Sequence, residues 1–211
     1  MDLLSITELT SVVLTDYFAV IVGVVMGAFY GARRGLDIVG AVATALLTGF
    51  GGGFMRDLLL HDHGIFFMEH PYLILVCVFI AAAAWHAGRR LQKMERILVP
   101  LDALSMALFA LAGCVKAWDA AVGGIYTVVL GMLTSVGGGA LASIAIAQRP
   151  TIFTSSYYYA VAGLGGSLAY VIFRMAGADD LLAGLVCVSV CLVLRWVSLR
   201  FNLNTKGPAG K

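Results

Sequence analysis

Seven apolar runs, each about 20 residues long, constrain this chain more than any other feature it carries. A run of that length matches the hydrocarbon thickness of a bilayer. Within lipid every backbone N–H and C=O must find an internal partner, so such runs can cross only as helices. They extend over roughly Val12–Ala32, Leu36–Leu60, Pro71–Gly88, Leu101–Trp118, Val122–Ala147, Ser156–Met175 and Leu181–Leu199. Composition agrees: only 12% of the 211 residues are charged, against about 25% in a soluble domain. The connectors are short and leave no room for a soluble domain. The chain is therefore expected to be one all-α, polytopic transmembrane domain over 1–211, with a short disordered tail at 204–211. A net charge of +2, spread between the runs, gives nucleic acid nothing to bind; lipid is the expected partner. No Lys or Arg precedes Arg33, so no cleaved signal peptide is expected. Cys77, Cys114, Cys187 and Cys191 sit inside apolar runs without metal-like spacing and read as buried thiols.

Orientation follows from the basic residues. Of the fourteen Lys and Arg, Arg56, Lys116 and Arg174 lie toward one side of the runs and the other eleven toward the opposite side. The richer side is expected to be cytoplasmic, which puts the N-terminus outside and the C-terminus inside.

Laying residue n on residue n+86 brings Asp16 onto Asp102, Gly27 onto Gly113 and Thr48 onto Thr134. The triplet Gly51-Gly52-Gly53 falls on Gly137-Gly138-Gly139, and Tyr72 falls on Tyr158. Each copy holds three spans, so the second enters the membrane from the opposite side. The expected architecture is two inverted three-helix repeats, about 12–90 and about 98–176, plus a seventh helix at about 180–200. Each glycine weakens a helix by about 1 kcal/mol relative to alanine. Spans two and five are therefore expected to kink at their triplets. At 1.5 Å per residue, Gly51 lies about 22 Å into its span from one side and Gly137 a similar distance from the other. Interrupted helices at matching positions of inverted halves point to a central substrate path. The competing explanation is close helix packing through small residues such as Gly49 and Gly53.

The stretch Gly51-Gly52-Gly53-Phe54-Met55-Arg56-Asp57 resembles the Gly-Gly-Gly-x-x-Arg-Asp signature of a widespread prokaryotic membrane family, and the second triplet again lies in the fifth span. On these residues the chain resembles the prokaryotic TRIC (trimeric intracellular cation) channels, a family also labelled as glycine-transporter-like. The resemblance runs from Asp16 to about Phe201. It implies seven spans, a homotrimer with one pore per subunit in the cell (inner) membrane, and conduction of K+ and Na+ without a cofactor. The pore would lie between the first, second, fourth and fifth spans and narrow near the glycine triplets. In the second copy Ala142-Ser143 stands where Arg-Asp is often kept.

The candidate ion path is Gly51, Gly52, Gly53, Gly137, Gly138 and Gly139 together with Thr48, Thr134, Ser135 and Lys116. Hard cations prefer oxygen ligands, which the hydroxyls and exposed carbonyls could supply. Hydroxyls bonded back to their own helix are the alternative. Arg56 and Asp57 read either as a charged vestibule that gathers cations or as a structural pair. Lys116, which the resemblance marks as functional, could equally snorkel to the interface. Asp16 and Asp102 are expected to cap spans one and four. His61-Asp62-His63 has ligand-like chemistry in a short loop, with a metal site there the lesser expectation. No enzyme motif appears, neither a phosphate loop nor a His-Glu-x-x-His or Gly-x-Ser-x-Gly pattern. A passive monovalent cation channel is the first functional reading, and a secondary transporter for a small zwitterion such as glycine is the alternative.

Overall fold

The apolar runs fold as helices. The computed structural model describes residues 3–61, 64–90, 94–150, 152 and 159–201, excepting the side chains of 3–12, 89 and 94–96. In chain order the helices are α1 (Leu3–Arg33), α2 (Ile38–Leu60), α3 (Phe66–Glu69), α4 (Pro71–Arg90), α5 (Met94–Asp119), α6 (Gly124–Ala145), α7 (Tyr159–Met175) and α8 (Asp180–Arg200). Among the described residues six helices are long and apolar enough to cross a membrane: α1, α2, α4, α5, α6 and α8. The 17-residue α7 is apolar but shorter. Residues 156–158 of the expected sixth span, the 204–211 tail, and Asp62 and His63 all lie outside the described residues.

Local chemistry sets the helix ends. The Asp37 carboxylate accepts from the Gly40 N–H at 2.8 Å and caps α2. Asp179 does the same for α8 through the Leu182 N–H. Where helices stop, the backbone turns left-handed at Gly35 (φ 72°), His61 (φ 47°), Ala121 (φ 52°) and Ala147 (φ 54°). These four fall into two pairs, Gly35 with Ala121 and His61 with Ala147, each 86 residues apart. The starts of α2 and α6, at Ile38 and Gly124, keep the same interval, as do the ends of α1 and α5, at Arg33 and Asp119.

Packing follows the duplication. α1, α2 and α4 pack mutually as one group, and α5, α6 and α7 as another; α2 meets α6 and α1 meets α5 between them, while α8 lies on α5 and α7. Each group has its own apolar core, one around Val24, Ala45 and Cys77, the other around Met106, Tyr170 and Cys187. All four cysteines are buried and free.

Two expectations are corrected, and one element is added. α2 and α6 run as uninterrupted helix through their glycine triplets, so no backbone is unwound there. The glycines serve a backbone-on-backbone crossing instead. A Cβ on Gly52 would stand 2.3 Å from the Thr134 carbonyl oxygen, and one on Gly138 2.2 Å from the Thr48 carbonyl oxygen. Asp16 and Asp102 do not cap helices: α1 begins at Leu3 and α5 at Met94, so both carboxylates sit inside their helices. Finally, the connector after α2 contains a short helix, α3, which docks the buried Phe66 ring against the first core.

Candidate ion path

A larger and a smaller cavity flank the α2–α6 crossing. Their walls correspond residue by residue at the 86-residue interval. Asp16, Gly49, Gly53, Arg56 and Asp57 line the smaller, and Asp102, Ser135, Gly139, Ala142 and Ser143 the larger. The difference in size has a chemical origin. Where the first copy inserts Arg56 and Asp57, the second has the small Ala142 and Ser143, and the space stays open.

The smaller cavity is occupied by an ion-pair chain. Arg56, fully buried, donates from Nη1 and Nη2 to the two oxygens of Asp16 at 2.8 and 3.0 Å, and from Nε to Asp57 Oδ1 at 2.8 Å. Its Nη1 also reaches the Ala112 carbonyl at 3.1 Å. Asp57 Oδ1 receives Lys116 Nζ at 2.9 Å, and Asp57 Oδ2 accepts the Phe66 N–H at 3.0 Å. Two carboxylates thus meet two cations in one chain that ties α1, α2, α3 and α5 together. Such a bidentate fork is the geometry arginine supplies and lysine cannot.

The larger cavity has the same design with a different donor. Asp102 Oδ2 pairs with Arg195 Nη2 at 3.2 Å, and Tyr159 donates its hydroxyl to Asp102 Oδ1 at 3.1 Å. The Arg195 guanidinium lies over the Tyr159 ring, 4.8 Å from its centre. Arg195 comes from α8, outside both copies, and fills the electrostatic place that Ala142 leaves empty. Ser105, Ser135, Ser143 and Thr48 add hydroxyls to the same wall.

Of the residues singled out in the sequence, Thr48, Ser135, Gly138 and Gly139 line the larger cavity and Gly53 the smaller. Gly51, Gly52 and Gly137 lie in the crossing, and Thr134 adjoins it. The hydroxyls of Thr48, Thr134 and Ser135 donate to their own helices, at Thr44, Leu130 and Met132. Arg56 and Asp57 are buried in a closed network, and Lys116 belongs to it. Sequence reasoning did not find Arg195, Tyr159 or Phe109 as site residues. One signal was available for the first: an arginine within a span is costly in lipid and calls for a partner. Among the described residues no group of His, Cys, Asp or Glu is placed to hold a metal.

These features define a class: a multi-pass helical membrane protein built by duplication around a central helix crossing, with a cavity on either side. The sequence model of a family described as "Glycine transporter" matches the chain twice, over residues 13–89 and 99–175, and the two matches are 86 residues apart. The fold superimposes on the TRIC trimeric intracellular cation channel orthologue from Rhodobacter sphaeroides with a TM-score of 0.84 at 30% identity, covering 92% of this chain and 100% of that one. The UPF0126 inner membrane protein YadS of Escherichia coli (strain K12) is 27% identical over 90% of this chain and 92% of its own length. A UPF0126 membrane protein of Deinococcus radiodurans is 29% identical over 88% of this chain and 86% of its own. The chain belongs to this glycine-transporter-labelled family, that of the TRIC channels.

Proposed function

We propose that the protein is a passive channel for monovalent cations, K+ and Na+, with one path per protomer of a homotrimer in the cell inner membrane. The observation that carries this reading is the pair of symmetry-related cavities on opposite sides of one helix crossing, in a chain whose structural relative is described as a trimeric cation channel. The path runs along α1, α2, α5 and α6, past the glycine crossing. Thr48, Ser135 and Ser143 offer oxygen lone pairs to a partly dehydrated ion. Their hydroxyl protons are committed to carbonyls of their own helices, so those lone pairs face the cavity with no competing role. The seven long helices all span in this arrangement, the shorter α7 included, with the N-terminus outside and the C-terminus cytoplasmic. The larger cavity then faces the cytoplasm. Arg56, Asp57 and Lys116 hold the outer half of the path together.

The test is purified protein in a planar bilayer under a KCl gradient. Unitary currents reversing near the K+ equilibrium potential are expected. Electrically silent bilayers combined with saturable glycine uptake into liposomes would replace the channel with the transporter reading.

A further inference from the structure

The α2–α6 crossing cannot itself be the opening between the two cavities. The positions that would carry Cβ atoms at Gly52 and Gly138 stand within 2.3 Å of carbonyl oxygens on the opposite helix. Those contacts are backbone on backbone, and no side-chain rotation relieves them. A passage joining the cavities has to skirt the crossing.

One side chain stands on that detour. Phe109, on α5, lines both cavities and is the residue their walls share among the described residues. It is 4% exposed. Its ring edge covers Gly23 of α1: a Cβ built there would meet Cε2 at 2.7 Å and Cζ at 2.8 Å, with the Gly49 Cα of α2 at 3.1 Å. The tip of the ring therefore rests where α1 and α2 touch. Position 109 is also where the duplication fails, because its counterpart 86 residues earlier is Gly23 itself. One copy supplies a large ring and the other supplies the bare backbone that seats it. The buried residues that cluster with the ring are Ala19 and Ala112, both small, with the partly buried Leu108 packed against the same cluster. An apolar ring has no hydrogen bond to break, and the two alanines leave its Cα–Cβ rotation little to displace. A hydrophobic constriction of this kind stops ions by excluding the water they travel with.

We infer that Phe109 is the gate of the path: a single apolar leaf that separates the two cavities when seated on Gly23 and joins them when it swings away. This rests on the channel reading and adds to it the location and chemistry of the barrier. The test compares wild-type protein with Phe109→Ala, Phe109→Leu and Phe109→Trp in planar bilayers under the same KCl gradient. Trimer recovery from size-exclusion chromatography serves as the folding control. Phe109→Ala is expected to raise open probability or unitary current several-fold, Phe109→Leu less so, and Phe109→Trp to reduce it. Because leucine keeps most of the apolar volume, the Leu variant reports even where the Ala variant fails to assemble. Wild-type current with all assembled variants matching it would overturn the gate and leave the channel standing. Silence from wild type and every assembled variant would remove the channel reading, and the gate with it. A silent wild type beside a conducting Ala or Leu variant would support both.

Discussion

Arg56 carries more of this molecule's organisation than any other side chain. It is fully buried, engages two carboxylates and a carbonyl, and with Lys116 it balances the charges of Asp16 and Asp57. Replacing it with an uncharged side chain leaves the buried Asp16 without its cation and Asp57 with Lys116 and the Phe66 N–H alone. Breaking a buried pair from one side typically costs about 3–5 kcal/mol. Arg56→Gln is therefore expected to lower the midpoint of thermal unfolding in detergent sharply and to deplete the peak of the proposed trimer. Arg195→Gln is expected to cost less, because Asp102 keeps its Tyr159 hydrogen bond and its side chain is 21% exposed. The ranking is the measurement: equal losses, or a larger one for Arg195→Gln, would show that the two ion pairs do not differ as their burial implies. The charged motif was plain in the sequence, but its partners were not. Asp16 is 40 residues from Arg56, and Asp102 is 93 residues from Arg195. No local pattern links them. The symmetry at 86 residues brought Asp16 and Asp102 together as a pair without revealing what each would bind.

At the scale of helices, the glycine triplets show why a repeated motif was easy to find and easy to misread. Glycine lowers helix propensity and also lets two helices meet backbone to backbone; sequence records the residue and not which property is used. Here α2 and α6 stay helical and the freedom goes into the crossing. The positions within each triplet should then behave unequally. Gly52→Ala and Gly138→Ala place a methyl against a carbonyl oxygen at 2.3 and 2.2 Å and must push the helices apart, an overpacking cost of about 1–3 kcal/mol. A Cβ at Gly139 meets nothing within 4 Å, so Gly139→Ala should gain up to about 1 kcal/mol from helix propensity. Thermal unfolding of the three variants decides it, and uniform effects would mean the crossing does not set the stability. The seven apolar runs were legible because periodicity and length act locally. α3 was not, since four residues carry no periodic signal.

For the whole molecule, the proposed topology puts the α5–α6 turn outside and the α6–α7 turn in the cytoplasm. Ala121→Cys should react with a membrane-impermeant thiol reagent only from outside and Ala147→Cys only from inside, both residues being exposed in their turns. Labelling from one common side would remove α6 as a span, and swapped labelling would reverse the orientation. The ion-pair chains also have a consequence for how current depends on salt. Asp16, Arg56, Asp57 and Lys116 sum to zero, and so do Asp102 and Arg195. A route whose walls hold no net fixed charge builds no local reservoir of counter-ions, so it has no electrostatic surplus for dilute solutions to unmask as the Debye length grows to about 30 Å at 0.01 M. Conductance should therefore fall in proportion to KCl concentration, without the shallow low-salt plateau that a charged mouth produces. Asp102→Asn would make the larger cavity net positive and should turn this linear, symmetric behaviour into rectification.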